Sequence, residues 1–136
     1  MAVAESCTGG LLGAVLTAVP GSSGHVLGGV IAYADPVKTD LLGVDPALLR
    51  SCGAVSEEVA AAMAAGARAR LGTEVGVGIT GVAGPGAEGG KVAGLAYVAV
   101  EWPRGARVER LDGDHGREGN RGRAVERALR LLIELP

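Results

Sequence analysis

The sequence predicts an α/β fold, a single three-layer α/β/α sandwich built on a mixed β-sheet. Three observations lead there. Short apolar strand segments alternate with helical segments through the first half of the chain. Two later strand segments, Gly94 to Glu101 and Ala106 to Leu111, are joined by a Pro103-Arg104-Gly105 turn, so that pair is expected as an antiparallel hairpin. Finally, 136 residues without an internal repeat or a linker are most simply one domain, residues 1–136.

The elements follow in order. Met1 to Ala4 is a short apolar run, read as a strand. It ends in a corner, Ala4-Glu5-Ser6-Cys7-Thr8-Gly9-Gly10, and an apolar helix is expected from Leu11 to Val19. Pro20-Gly21-Ser22-Ser23-Gly24 is a turn cluster. Val26 to Ala34 is expected as a strand, with Gly28 and Gly29 as its weak points. Asp35-Pro36 suits a helix start, Asp35 as N-cap and Pro36 at the first helical position, and this short helix stops near Gly43. Pro46 to Leu49 makes another brief helical turn.

Ser56 is placed to cap the next helix, with Glu57 and Glu58 in its first turn, where the helix dipole favours anions. Val59, Met63, Ala67 and Leu71 repeat along one apolar face, and Gly72 ends the helix. Val75 to Thr80 is a buried strand that runs into a glycine-rich loop, Gly81 to Gly90. The hairpin follows. A last helix is expected from about Arg121 to Leu135, with Val125, Ala128, Leu129 and Leu132 toward the core and Glu126 paired with Arg130.

Composition narrows the function. Hydrophobic residues make up 48% and charged residues 21%, as in a globular domain. A net charge of −2 supplies no field for nucleic acid or an acidic membrane. Tyr33, Tyr97 and Trp102 are the only aromatic residues, too few for a base-stacking platform. Cys7 and Cys52 read as a reduced pair in a cytoplasmic protein rather than as a disulfide. His25 and His115 are too few and too scattered for a metal site. No run suits a bilayer span or a targeting segment.

Three places concentrate reactive groups: Ser6 with Cys7 and Thr8, Tyr33 with Lys38, and Thr80 with its glycine-rich loop. All lie near expected strand C-terminal ends, where open α/β sheets place ligands. A serine needs a base to become a nucleophile. No His–Asp pair is evident, so a lysine is the candidate: Lys38, oriented or relayed by Tyr33, or else Lys91 within the glycine-rich loop. Thr80 and loop N–H groups suit a phosphate or an oxyanion, and Arg117 and Arg121 suit an anion. Each residue also has an ordinary role open to it. A hydroxyl before a helix caps it, a strand-end tyrosine packs, a lone lysine meets solvent, and glycine-rich loops are often only turns.

Together these segments resemble the CinA C-terminal domain family, known as nicotinamide-mononucleotide amidohydrolases. Four blocks carry the likeness: Ala4 to Gly10, Tyr33 through Lys38 to Gly43, Gly53-Ala54-Val55-Ser56-Glu57-Glu58, and Ile79-Thr80-Gly81-Val82-Ala83-Gly84-Pro85. The arginine-containing segment before the last helix makes a fifth. The resemblance implies a three-layer sandwich that hydrolyses the carboxamide of nicotinamide mononucleotide to nicotinate mononucleotide and ammonia; with no cluster of metal-ligating side chains in the sequence, no metal and no cofactor are expected. Carried over, Ser6 would be the nucleophile, Lys38 its base and Tyr33 their helper. Thr8, Gly9, Gly10, Thr80, Gly81 and Gly84 would bind substrate, and Arg117 or Arg121 would meet its phosphate.

The chain departs from the family pattern in three places. It begins almost at its first strand, where family members usually carry a helix ahead. It has Val92-Ala93-Gly94-Leu95-Ala96 where Pro-Val-Gly-Thr-Val is common. Its Gly113-Asp114-His115-Gly116-Arg117 is spread out relative to the usual Gly-Asp-Arg. Lacking a molybdopterin-binding-like domain, it resembles the family's stand-alone form. So apolar a domain without that first helix is expected to leave surface for a second copy, hence a homo-oligomer. Two functional classes stand: a Ser–Lys amidohydrolase, or a silent nucleotide-binding domain that serves as partner or sensor.

Overall fold

The computed structural model describes residues 1–136. Its elements are β1 (Ala2–Glu5), α1 (Leu11–Thr17), a 3-10 turn (Ser22–Gly24), β2 (Gly28–Ile31), α2 (Asp35–Leu42), α3 (Pro46–Cys52), α4 (Glu57–Leu71), β3 (Gly76–Gly81), β4 (Ala96–Trp102), β5 (Gly105–Leu111) and α5 (Gly116–Ile133). One five-stranded sheet runs in the order β2-β1-β3-β4-β5. β2 and β3 flank β1 in parallel, and β4 and β5 continue antiparallel as the expected hairpin.

Helices cover both faces, which makes the three layers. On one face Val3, Val77, Ile79, Val98 and Val100 of the sheet pack with Leu12 of α1 and Ala124, Val125, Ala128 and Leu131 of α5. On the other, Ala2 and Ala4 of β1 meet Leu42 of α2 and Val59, Met63 and Ala67 of α4. The alternation of Val3 against Ala2 and Ala4 follows from the two-residue period of a strand. Helix α4 lies almost on the backbone of β3. A Cβ on Gly76 would sit 2.1 Å from the Ala64 carbonyl oxygen, and one on Gly78 2.3 Å from that of Ala60. Glycines on the strand and alanines on the helix allow that approach.

Among the element boundaries that differ from the expected ones, four have an identifiable reason. β2 covers only Gly28–Ile31, not Val26 to Ala34. Its sole neighbour is the four-residue β1, and when β1 turns after Glu5 there is nothing further to pair with. α1 stops at Thr17 because Pro20 disfavours helical backbone at Val19. Asp35 lies inside α2, with Ala34 as the cap, and its carboxylate is spent on Lys38 instead. α5 begins at Gly116, not near Arg121, because Asp114 Oδ1 accepts the Gly116 N–H and Asn120 Oδ1 accepts that of His115. Ser56 caps α4 as expected, its Oγ accepting the Val59 N–H. No helix is long and apolar enough to cross a membrane.

Candidate active site

The chain leaves β1 to form β2 on one side, then crosses back to form β3 on the other. The C-terminal ends of β1 and β3 are therefore the switch point of the sheet, the crevice where doubly wound folds bind ligands. Register brings the two ends together: Glu5 pairs with Ile79, and the Ser6 N–H donates to the Ile79 carbonyl at 3.0 Å. Ser6 and Thr80 thus sit side by side at the strand ends, and a cavity of about 600 Å³ opens there.

Ser6 lines this cavity, and its hydroxyl has no hydrogen-bond partner in the protein. Cys7 beside it is buried, and burial pushes its thiol up to about 11, so near neutral pH it is a thiol and not a thiolate nucleophile. Lys38 is only 1% exposed, yet its amine reaches the cavity. It donates to the Tyr33 carbonyl at 3.2 Å and to Asp35 Oδ1 at 3.4 Å. No hydrogen bond joins it to Ser6. Tyr33 holds Lys38 through its main-chain carbonyl, not its phenol. The phenol stands at the mouth of the cavity and accepts from Arg117 at 3.2 Å.

Thr80 is buried at the cavity wall, and its hydroxyl donates to the Ala54 carbonyl at 2.7 Å, tying the segment ahead of α4 to β3. The glycine-rich loop forms the opposite wall, with Gly81 and Gly84 lining the cavity. A small bridge between Glu88 and Lys91 folds its tip, and both residues face the cavity. The loop is anchored through its carbonyls. Arg117 donates to Gly84 O at 2.6 Å, and Asn120 Nδ2 to Ala83 O at 3.0 Å. The amides of Gly84, Gly86 and Ala87 donate to nothing within the protein. Such unspent N–H groups beside the Arg117 guanidinium suit an anionic ligand. Asn120 and the Gly116 N–H also hold the Asp114 carboxyl below the usual carboxylate range.

The remaining expected binding residues lie elsewhere. Thr8, Gly9 and Gly10 do not line the cavity. Glu5, 1% exposed, takes the N–H groups of Gly10 and Leu12 on one carboxylate oxygen and that of Gly13 on the other. The corner that was expected to offer free amides and a helix end to a ligand is filled from within. Arg121 is likewise away from the cavity, donating to the Thr8 carbonyl at 3.0 Å and to Glu118. Between the two arginines, only Arg117 is placed to meet a ligand. Sequence reading missed Glu5 and Asn120. Glu5 had a usable signal, a carboxylate shortly before a helix start. Asn120, in a run of glycine and charge, had none.

A polar cavity at the switch point of an α/β sandwich, walled by a free serine, a buried lysine and a loop of open amides, defines a small-molecule site. The family model for the CinA C-terminal domain matches residues 1–135, and the chain belongs to that family. It is 55% identical over 135 residues to the CinA-like protein of Synechococcus sp., covering 97% of this chain and 32% of that protein. It is 53% identical to the CinA-like protein of Gemmatimonas aurantiaca over 95% of its length and 30% of the relative's. The chain thus spans about a third of the curated relatives it matches. Among solved structures, it superposes on the competence/damage inducible protein CihA from Agrobacterium tumefaciens with a TM-score of 0.93 at 40% identity, covering 97% of this chain and 82% of that one. The CinA superfamily protein from Escherichia coli gives 0.94 at 34% identity, covering 99% and 79%.

Proposed function

We propose that this chain hydrolyses the carboxamide of nicotinamide mononucleotide to nicotinate mononucleotide and ammonia, with Ser6 as nucleophile and Lys38 as base. The observation that carries the reading is an unpartnered serine hydroxyl sharing one cavity with a fully buried lysine amine. Two of the three positions around the Lys38 nitrogen are directed at the Tyr33 carbonyl and Asp35 Oδ1. The base role requires that the amine give up a proton on substrate binding, so that its lone pair takes the Ser6 proton directly or through one water.

In this mechanism Ser6 Oγ attacks the carboxamide carbon while its proton passes to the Lys38 amine. The tetrahedral intermediate collapses, the C–N bond breaks, and the departing nitrogen takes the proton from Lys38 and leaves as ammonia. Water then attacks the Ser6 ester and gives a proton to Lys38. The C–Oγ bond breaks, Ser6 recovers that proton, and the nicotinate is released. Arg117 and the open loop amides hold the substrate phosphate throughout, which fixes the carboxamide over Ser6.

Incubating the purified chain with nicotinamide mononucleotide should release ammonia and nicotinate mononucleotide in equal amounts. If folded protein binds the nucleotide but releases no ammonia, the amidohydrolase reading fails. The second reading, a nucleotide-binding domain without turnover, then takes its place. What favours that second reading is that Lys38 bonds Tyr33 and Asp35 rather than Ser6.

A further inference from the structure

We infer that Glu5 and Arg121 are positioning residues that clamp the Ser6 turn from opposite sides and so set the attack geometry of its hydroxyl. The inference rests on Ser6 being the nucleophile. Residues Ser6 to Gly10 leave the sheet as a tight turn whose own bonds are few: Gly9 N–H to the Ser6 carbonyl and Leu11 N–H to the Thr8 carbonyl, both 3.0 Å. Two glycines in succession leave such a turn with many alternative conformations. What selects one of them comes from outside the turn.

From within, the Glu5 carboxylate gathers the amides of Gly10, Leu12 and Gly13 at 3.2, 3.0 and 2.8 Å. Glu5 directly precedes Ser6 and belongs to β1, so the start of α1 is tied to the same strand that carries the nucleophile. From without, Arg121 reaches from α5 to the Thr8 carbonyl, and its guanidinium would lie 3.8 Å from a Cβ on Gly9. Glu118, one turn earlier on α5, holds another nitrogen of that guanidinium at 3.0 Å. The same end of α5 carries Arg117 and Asn120, which hold the glycine-rich loop. One helix end therefore sets the Ser6 turn and the facing wall of the cavity together. The charges of the clamp also reach the site. Burial dominates the upward shift of the Cys7 thiol, with the Arg121 cation lowering it and the Glu5 anion raising it.

The test compares Arg121→Ala, Arg121→Lys and Glu5→Gln with wild type. It reads kcat and KM for nicotinamide mononucleotide, and separately the rate at which a fluorophosphonate labels Ser6, with thermal melts to confirm folding. Displacing a nucleophile by a fraction of an ångström to about 1 Å costs roughly 10- to 100-fold in rate. Arg121→Ala should lower kcat and the labelling rate by such a factor, with KM within about twofold of wild type. Arg121→Lys, which keeps one donor for the Thr8 carbonyl, should recover part of the loss. Glu5→Gln sets an NH₂ group against a backbone N–H and should show the same split.

A folded Arg121→Ala with wild-type kcat and labelling overturns the inference. So does a rise in KM with labelling unchanged, which would make Arg121 a substrate ligand. A wild type whose Ser6 is not labelled at all also overturns it. If wild type is labelled but releases no ammonia, the proposed reaction fails and the labelling ratios alone decide the clamp. If Glu5→Gln does not fold, the Arg121 pair decides it.

Discussion

Two glycine-rich corners lie side by side at the C-terminal ends of β1 and β3, and they spend their N–H groups differently. The corner after β1 has its N–H groups collected by Glu5 and its Thr8 carbonyl held by Arg121, and it presents a side chain, Ser6, to the cavity. The loop after β3 has the Ala83 and Gly84 carbonyls held by Asn120 and Arg117, while the amides of Gly84, Gly86 and Ala87 stay open. Glycine lets backbone approach a ligand in both places. Which half of the peptide group is already engaged decides whether an anion can use it. A carboxylate inside the first corner does there what a ligand would otherwise do.

The largest test of this contrast is Ser6→Ala. If the β1 corner contributes the reacting group, ammonia release should fall by about a thousandfold or more while the fold survives. Cys7→Ala should be mild, because the thiol stays protonated near neutral pH. An active Ser6→Ala beside a dead Cys7→Ala would reverse the assignment.

Next comes Arg117→Ala, which acts on the β3 side. It removes a cation from the cavity and frees the Gly84 carbonyl, so KM for the nucleotide should rise by about 10- to 100-fold, far more than kcat falls. Nicotinamide riboside, lacking the phosphate, should be a poor substrate whose turnover the substitution hardly changes. A variant that lowers kcat alone would break the division between a corner that reacts and a loop that binds.

A smaller effect concerns how closed the β1 corner is. The Cys7 thiol is raised from 9.0 to about 11 in the folded chain, so it favours the fold while both states keep the proton. As pH rises above 9 the unfolded chain loses the proton first. That stabilisation declines and is gone once pH passes about 11. Denaturation midpoints across this range should fall more steeply in wild type than in Cys7→Ala. Alkylation at pH 8 should reach the half-buried Cys52 well before Cys7. Equal slopes and equal labelling would mean that the corner opens to solvent.

The smallest expected effect is that of Thr8→Val. The Thr8 hydroxyl is buried without a partner, so replacing it with a methyl of similar shape should be neutral or stabilise by up to about 1 kcal/mol in chemical denaturation. A clear loss of stability would show that the hydroxyl has a partner in solution and that the corner is less dry than its packing indicates.

The alternation of strands and helices, the Pro103-Arg104 hairpin turn, the Ser56 cap and the corner around Ser6 were all legible from residue pattern, because each rests on groups a few residues apart. So was the placing of Ser6, Lys38 and Thr80 at or near strand C-terminal ends, since β1, β2 and β3 run parallel and finish at the same end of the sheet. Tertiary structure alone decided how the polar groups were shared out. Arg117 reaches Gly84 across 33 residues, Asn120 reaches Ala83 across 37, and Arg121 reaches Thr8 across 113. Those partnerships sent Arg117 rather than Arg121 to the cavity and tied both glycine-rich corners to one end of α5. A hydrogen bond depends on the final position of both its partners, and when they lie far apart in the chain no local pattern records it.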